Sequence, residues 1–138
     1  MILSGESDET DVRHLNTCGR PILRRGGTDS FLMSVPRPLG QIQYMRIWHD
    51  NSGKGSDASW FLGFIVIRDL QTKKKWFFVV NKWFAVEEGD GQIDRVIPVA
   101  GNDDITNFSH LFSETTKQDL TDGHLWFSVR LPSCNFYT

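Results

Sequence analysis

The residues with the most chemical promise are cations. Lys73-Lys74-Lys75 stands between two apolar runs, Trp60–Ile67 and Trp76–Val80, and Lys82, Arg24 and Arg25 lie in neighbouring basic stretches. Ammonium and guanidinium groups gathered on one surface attract anionic partners such as phospholipid head groups or acidic proteins. Trp83 follows an apolar run at a loop junction, where an indole suits a membrane–water interface. Lys73, Lys74, Lys75, Lys82, Trp83, Arg24 and Arg25 are therefore the candidate lipid-binding residues. Asp50, Asn51 and Asp57 offer hard oxygen ligands and are the candidate residues for a weak calcium site. No other cofactor is expected.

Other chemistries are missing a part. His14, His49, His110 and His124 form no i,i+4 pair and adjoin no Cys-x-x-Cys, which speaks against zinc. There is no Gly-x-Ser-x-Gly elbow, and neither Cys18 nor Cys134 carries a thiol-protease signature. Gly53-Lys54-Gly55-Ser56 lacks the glycine a phosphate loop needs five places before, where Trp48 stands. Read as an EF-hand, Asp50–Asp57 puts Lys54 at the fifth ligand position and Phe61 in place of the closing Glu. Asn107-Phe108-Ser109 fits a glycosylation triplet but falls within an expected helix. Nothing in the residues supports catalysis.

The chain that must position these groups has 138 residues, enough for one domain with a real core. Its composition, 39 % apolar and 23 % charged, is that of a packed domain. Five Trp and ten Phe against two Tyr is an unusual aromatic load. No apolar run reaches the length of a membrane span, and the start lacks the basic and apolar segments of a signal peptide. A net charge of −2 argues against a general nucleic-acid binder. That figure conceals a separation: residues 1–11 carry −4, 12–46 carry +5, 68–82 carry +4 and 87–122 carry −7.

Evenly spaced Gly, Pro and Asn punctuation divides short runs of β-branched and aromatic residues, the pattern of an antiparallel all-β sandwich. Strands are expected at Ser30–Val35, Ile42–His49, Trp60–Asp69, Lys75–Asn81, Arg95–Val99 and Leu125–Leu131. Trp60–Ile67 is apolar on both faces and reads as a central, doubly covered strand. Arg68–Lys75 reads as a hairpin with its basic tip in solvent. One short helix is expected near 103–117, capped by Asn102 or Asp103, with Ile105, Phe108, Leu111 and Phe112 on its apolar face.

Several runs in order carry a resemblance. They are Arg24-Arg25-Gly26-Gly27-Thr28-Asp29-Ser30-Phe31, Ile47-Trp48-His49-Asp50-Asn51-Ser52-Gly53, Ser59-Trp60-Phe61-Leu62, Val66-Ile67-Arg68-Asp69-Leu70-Gln71-Thr72, Trp83-Phe84-Ala85-Val86-Glu87 and Asp122-Gly123-His124-Leu125-Trp126-Phe127-Ser128-Val129. Over about residues 2–130 the chain resembles a PLAT domain (polycystin, lipoxygenase, alpha-toxin), in the version found in polycystin-one-like membrane proteins. The resemblance implies two four-stranded sheets with the first strand missing, a domain over 1–130 and a tail over 131–138. It implies no enzyme but a module that brings its host to membranes or protein partners, on the cytosolic side of an integral membrane protein. Unpaired Cys18 and Cys134 fit that side. Calcium-binding relatives place acids where Ile22, Arg24 and Ser59 stand here, so their calcium site is not expected in this chain. The expected partner is an anionic phospholipid surface, with protein docking through the acidic region 87–122 as the alternative.

Overall fold

The computed structural model describes residues 1–16, 19, 21–24 and 26–104, apart from the side chains of Ser56 and Asp57. Within them lie five strands: β1 (Ile2–Gly5), β2 (Ile42–Trp48), β3 (Trp60–Arg68), β4 (Lys75–Phe84) and β5 (Asp94–Pro98), with a 3-10 turn, Gly55–Ala58, before β3. They form two antiparallel sheets, one ordered β1-β2-β5 and the other β3-β4. This is the all-β layered architecture the sequence pattern implies. The described residues supply three and two strands, where the resemblance implied four and four; Leu125–Leu131 lies outside them.

Alternation builds the core. Ile42, Met45 and Ile47 of β2 and Trp76, Phe78, Val80 and Phe84 of β4 turn inward, with Met45, Phe78 and Phe84 fully buried. Leu3, Leu62, Ile65 and Ile97 complete the cluster. Around Ile65 and Val66 β3 is buried on both faces, since Ile65 joins this cluster while Val66, 2 % exposed, lies outside it. Among the described residues β3 pairs along one edge only, with β4, so it is not shown to be central.

Two further sequence expectations change. Ser30–Val35 forms no strand. Its alternation is real, with Phe31 buried and Met33 packed on the core, but no described strand pairs with it, and Pro36 and Pro38 keep the extended run from continuing past Val35. Conversely, Ile2–Gly5 pairs with β2 although four residues offered too short a pattern to read. The helical residues begin at 102, with Gly101 just before them; the Gly101 amide donates to Asp104 Oδ2 at 3.0 Å, closing the helix start in place of an Asn102 or Asp103 cap. Residues 105–117 of the expected helix lie outside the described residues.

Glycine is required where β1 meets the 39–42 segment. A Cβ on Gly5 would lie 2.2 Å from the Leu39 carbonyl oxygen, and the β1–β2 register shifts between Ser4 and Gly5. A second irregularity sits in β3–β4, where Asn81 takes φ 46° and the register shifts between Leu62 and Phe64. Loop bonds tie the sheets at both ends. The Ala100 amide donates to the Phe77 carbonyl at 2.7 Å, and His49 Nε2 lies 2.8 Å from the Phe84 carbonyl oxygen. The Asn51 amide donates to His49 Nδ1 at 3.0 Å, so the proton on the ring sits at Nε2 and is donated to Phe84.

Candidate functional site

The turn joining β3 to β4 is built by one carboxylate. Arg68 pairs with Lys75, which leaves residues 69–74 to reverse the chain. The Asp69 amide donates to the Lys74 carbonyl at 3.0 Å, and the Lys73 amide donates to the Asp69 carbonyl at 2.9 Å. Asp69 Oδ1 accepts from the Gln71 amide at 2.8 Å and the Thr72 amide at 3.3 Å, while Oδ2 accepts from the Thr72 hydroxyl at 2.7 Å. These donors, the Thr72 hydroxyl foremost, hold the Asp69 carboxyl below its ordinary range. Lys73 takes the left-handed region at φ 62°, a conformation that the surrounding bonds impose on it.

The turn presents Lys73, Lys74 and Lys75 to solvent, and beside them Leu70, 46 % exposed. An aliphatic side chain flanked by ammonium groups on a braced loop can do two things together. It can attract an anionic surface and bury apolar area in it. Sequence reading found the lysines and missed Leu70. Its signal was a single aliphatic residue inside an otherwise polar turn.

Two of the other candidates, Lys82 and Trp83, do not join this turn. Lys82 and Trp83 stand at the other end of β4, seven and eight residues from Lys75, or about 25 Å along a strand. Lys82 pairs with Leu62 and lines, with Asp94, Val80 and Ile97, a groove between β4 and β5. Trp83 is half-buried and meets Phe61 edge-on, ring centroids 5.4 Å apart. Arg24 is exposed on the 21–30 loop, where its carbonyl accepts from the Gly27 amide at 2.9 Å. Arg25 lies outside the described residues.

Of the oxygen-bearing candidates, Asp50 and Asn51 serve turn geometry. Asp50 Oδ1 accepts from the Ser52 amide at 3.0 Å, and its bonds with Ser52 lower its carboxyl from the ordinary value. Asn51 takes φ 57° with its amide committed to His49. The Asp57 side chain lies outside the described residues. Among the described residues no three His, Cys, Asp or Glu gather as a metal site, and no helix is long and apolar enough to cross a membrane.

A fork of contacts fixes the end of the hairpin opposite the basic turn. Arg95 of β5, its side chain 9 % exposed, donates from Nη1 to Asp90 Oδ2 at 2.9 Å and from Nη2 to Asp90 Oδ1. Nη2 also donates to the Trp83 carbonyl at 2.9 Å, and the guanidinium lies 5.3 Å from the Phe84 ring centroid. Asp90 is held below the ordinary carboxylate range chiefly by its bond with Arg95.

Comparison with known proteins identifies the family. The chain is 37 % identical over 129 residues to polycystin-1-like protein 3 of Mus musculus and 35 % identical over 129 residues to the Homo sapiens protein of that name. It is 32 % identical over 131 residues to Homo sapiens polycystin-1. Each alignment covers 94 % of the chain, which spans only 6 %, 7 % and 3 % of those relatives. No solved structure matches it. The family model described as the PLAT/LH2 domain matches residues 1–98, which include every strand described above, and the chain belongs to that family.

Proposed function

We propose that this PLAT domain is a non-catalytic membrane-targeting module that binds anionic phospholipid on the cytosolic side of a polycystin-like membrane protein. The observation that carries the reading is the β3–β4 turn, where exposed Leu70 stands beside exposed Lys73, Lys74 and Lys75 on a loop locked by Asp69. The family match supports a domain module, and the polycystin relatives support a membrane-protein host. Each lysine near an anionic surface contributes about 1 kcal/mol. Three together amount to about 3 kcal/mol, or roughly a hundredfold in affinity. Binding on these terms needs no calcium.

The test is co-sedimentation of the protein with phosphatidylcholine vesicles and with phosphatidylserine-containing vesicles, each with calcium and with chelator. The wild type should bind only the anionic vesicles, equally in both ionic conditions. Lys73→Ala/Lys74→Ala/Lys75→Ala should weaken binding roughly a hundredfold, and Leu70→Ser by several-fold because the half-exposed side chain has about half its burial still to gain. All four positions are exposed on one turn, so thermal unfolding should report intact variants. No binding by folded wild type, or undiminished binding by the triple variant, refutes the assignment to this turn. Loss of binding on chelation refutes the calcium-independent mechanism.

A further inference from the structure

The end of β3–β4 remote from the basic turn carries a surface of opposite character. Phe61 is 43 % exposed, Trp83 is half-buried against its edge, and Val86 is 56 % exposed where the chain leaves β4. Phe61 and Trp83 are directly paired across the strands and share the face turned away from buried Leu62. Lys82 pairs with Leu62, which sets it on the other face and leaves the aromatic pair without an adjoining cation from its own strand. The rim is acidic: Glu87 and Glu88 are exposed in the turn that follows. The third acid of this turn, Asp90, is bound to Arg95.

The surface is also held rigid. A Cβ on Gly89 would lie 3.3 Å from Trp83 Cβ, so the turn packs directly on the indole's base. Arg95 secures the Trp83 carbonyl from the other side. Rigid aromatics lose little entropy when covered, which is why Trp and its neighbours so often anchor interfaces. The acidic rim selects the partner. An anionic bilayer is repelled by Glu87 and Glu88, whereas cationic side chains flanking an apolar anchor satisfy both rim and face.

We propose that the Phe61–Trp83 face docks a protein segment bearing an apolar anchor flanked by lysine or arginine. This surface is distinct from the basic turn, so the two can be tested separately. The probe is a synthetic hexapeptide, Leu-Phe with two lysines on each side, titrated into labelled protein and followed by amide and indole NMR shifts. A control peptide carries glutamate in place of every lysine. Shifts should centre on Phe61, Trp83 and residues 86–89 with the lysine peptide and be absent with the control. Phe61→Ala should weaken the interaction about tenfold, and Glu87→Lys/Glu88→Lys should abolish it while leaving the spectrum folded. Lys73→Ala/Lys74→Ala/Lys75→Ala should leave it unchanged. Absence of shifts at these residues, or shifts that survive both face variants, overturns the proposal. So does the same set of shifts on adding phosphatidylserine vesicles, which would make the face a membrane surface.

Discussion

Replacing Asp69 by alanine removes the acceptor for the Gln71 amide, the Thr72 amide and the Thr72 hydroxyl together. Each bond on an exposed turn contributes at the low end of the usual range, about 0.5 kcal/mol, so the loss is roughly 1.5 kcal/mol. For a domain of this size that lowers Tm by about 5 °C. Asp69→Asn keeps a carbonyl acceptor for the two amides and should lose about half as much. The acid dependence has a definite sign. Because the folded-state pKa lies below the ordinary value of 3.8, the carboxylate's contribution is present above that value and is lost as pH falls through the folded one. Tm measured from pH 7 to pH 3 should therefore show wild type and Asp69→Asn converging at the acid end. Amide exchange supplies the local readout: Gln71 and Thr72 should exchange faster in Asp69→Ala, with the Phe78 amide changed only through global stability. A wild-type Tm and pH profile in both variants, with unaltered exchange at Gln71 and Thr72, would refute the claim that this carboxylate builds the turn.

Three other perturbations test the frame. Gly5→Ala drives a Cβ into the Leu39 carbonyl oxygen, backbone against backbone, and should cost at least about 2 kcal/mol in denaturant unfolding. Arg95→Lys keeps the charge but loses the planar fork that reaches both Asp90 oxygens and the Trp83 carbonyl; a loss of about 2 kcal/mol is expected, and full retention would show the fork to be dispensable. His49→Ala leaves the Phe84 carbonyl and the Asn51 amide without their ring partner and should cost roughly 1–2 kcal/mol, seen as faster exchange of the 49–53 amides.

The sequence disclosed strands wherever pattern and punctuation agreed. β2, β3, β4 and β5 fall within a few residues of expectation because inward Ile, Met, Phe and Trp alternate between clear turn signals. Ser30–Val35 misled because alternation reports which side chains face the core, while a ladder also needs a neighbouring strand, and none of the described strands pairs with this segment. Two quoted motifs proved to be turn chemistry. Asp69 and Thr72 fold the tip, and His49, Asp50 and Asn51 fold the loop that meets Phe84. At the candidate site the lysines were legible as a charge run, but their distance from Lys82 was not, since it depends on which end of a strand each occupies. Phe61 was hidden for a related reason: within a run apolar on both faces, no local signal says which side chain stays exposed.

The length of β4 has a bearing on how charge is felt. Its ten residues span about 30 Å and set the lysine turn and the Glu87–Glu88 rim at opposite ends, more than three Debye lengths apart at physiological ionic strength. When the turn touches a negatively charged surface, the intervening salt hides that surface from the acids at the far end. The acids then exert almost no opposing force at contact. In dilute salt the screening length grows past the strand's own span, and the same molecule behaves as a single dipole that turns its lysines forward while still at a distance.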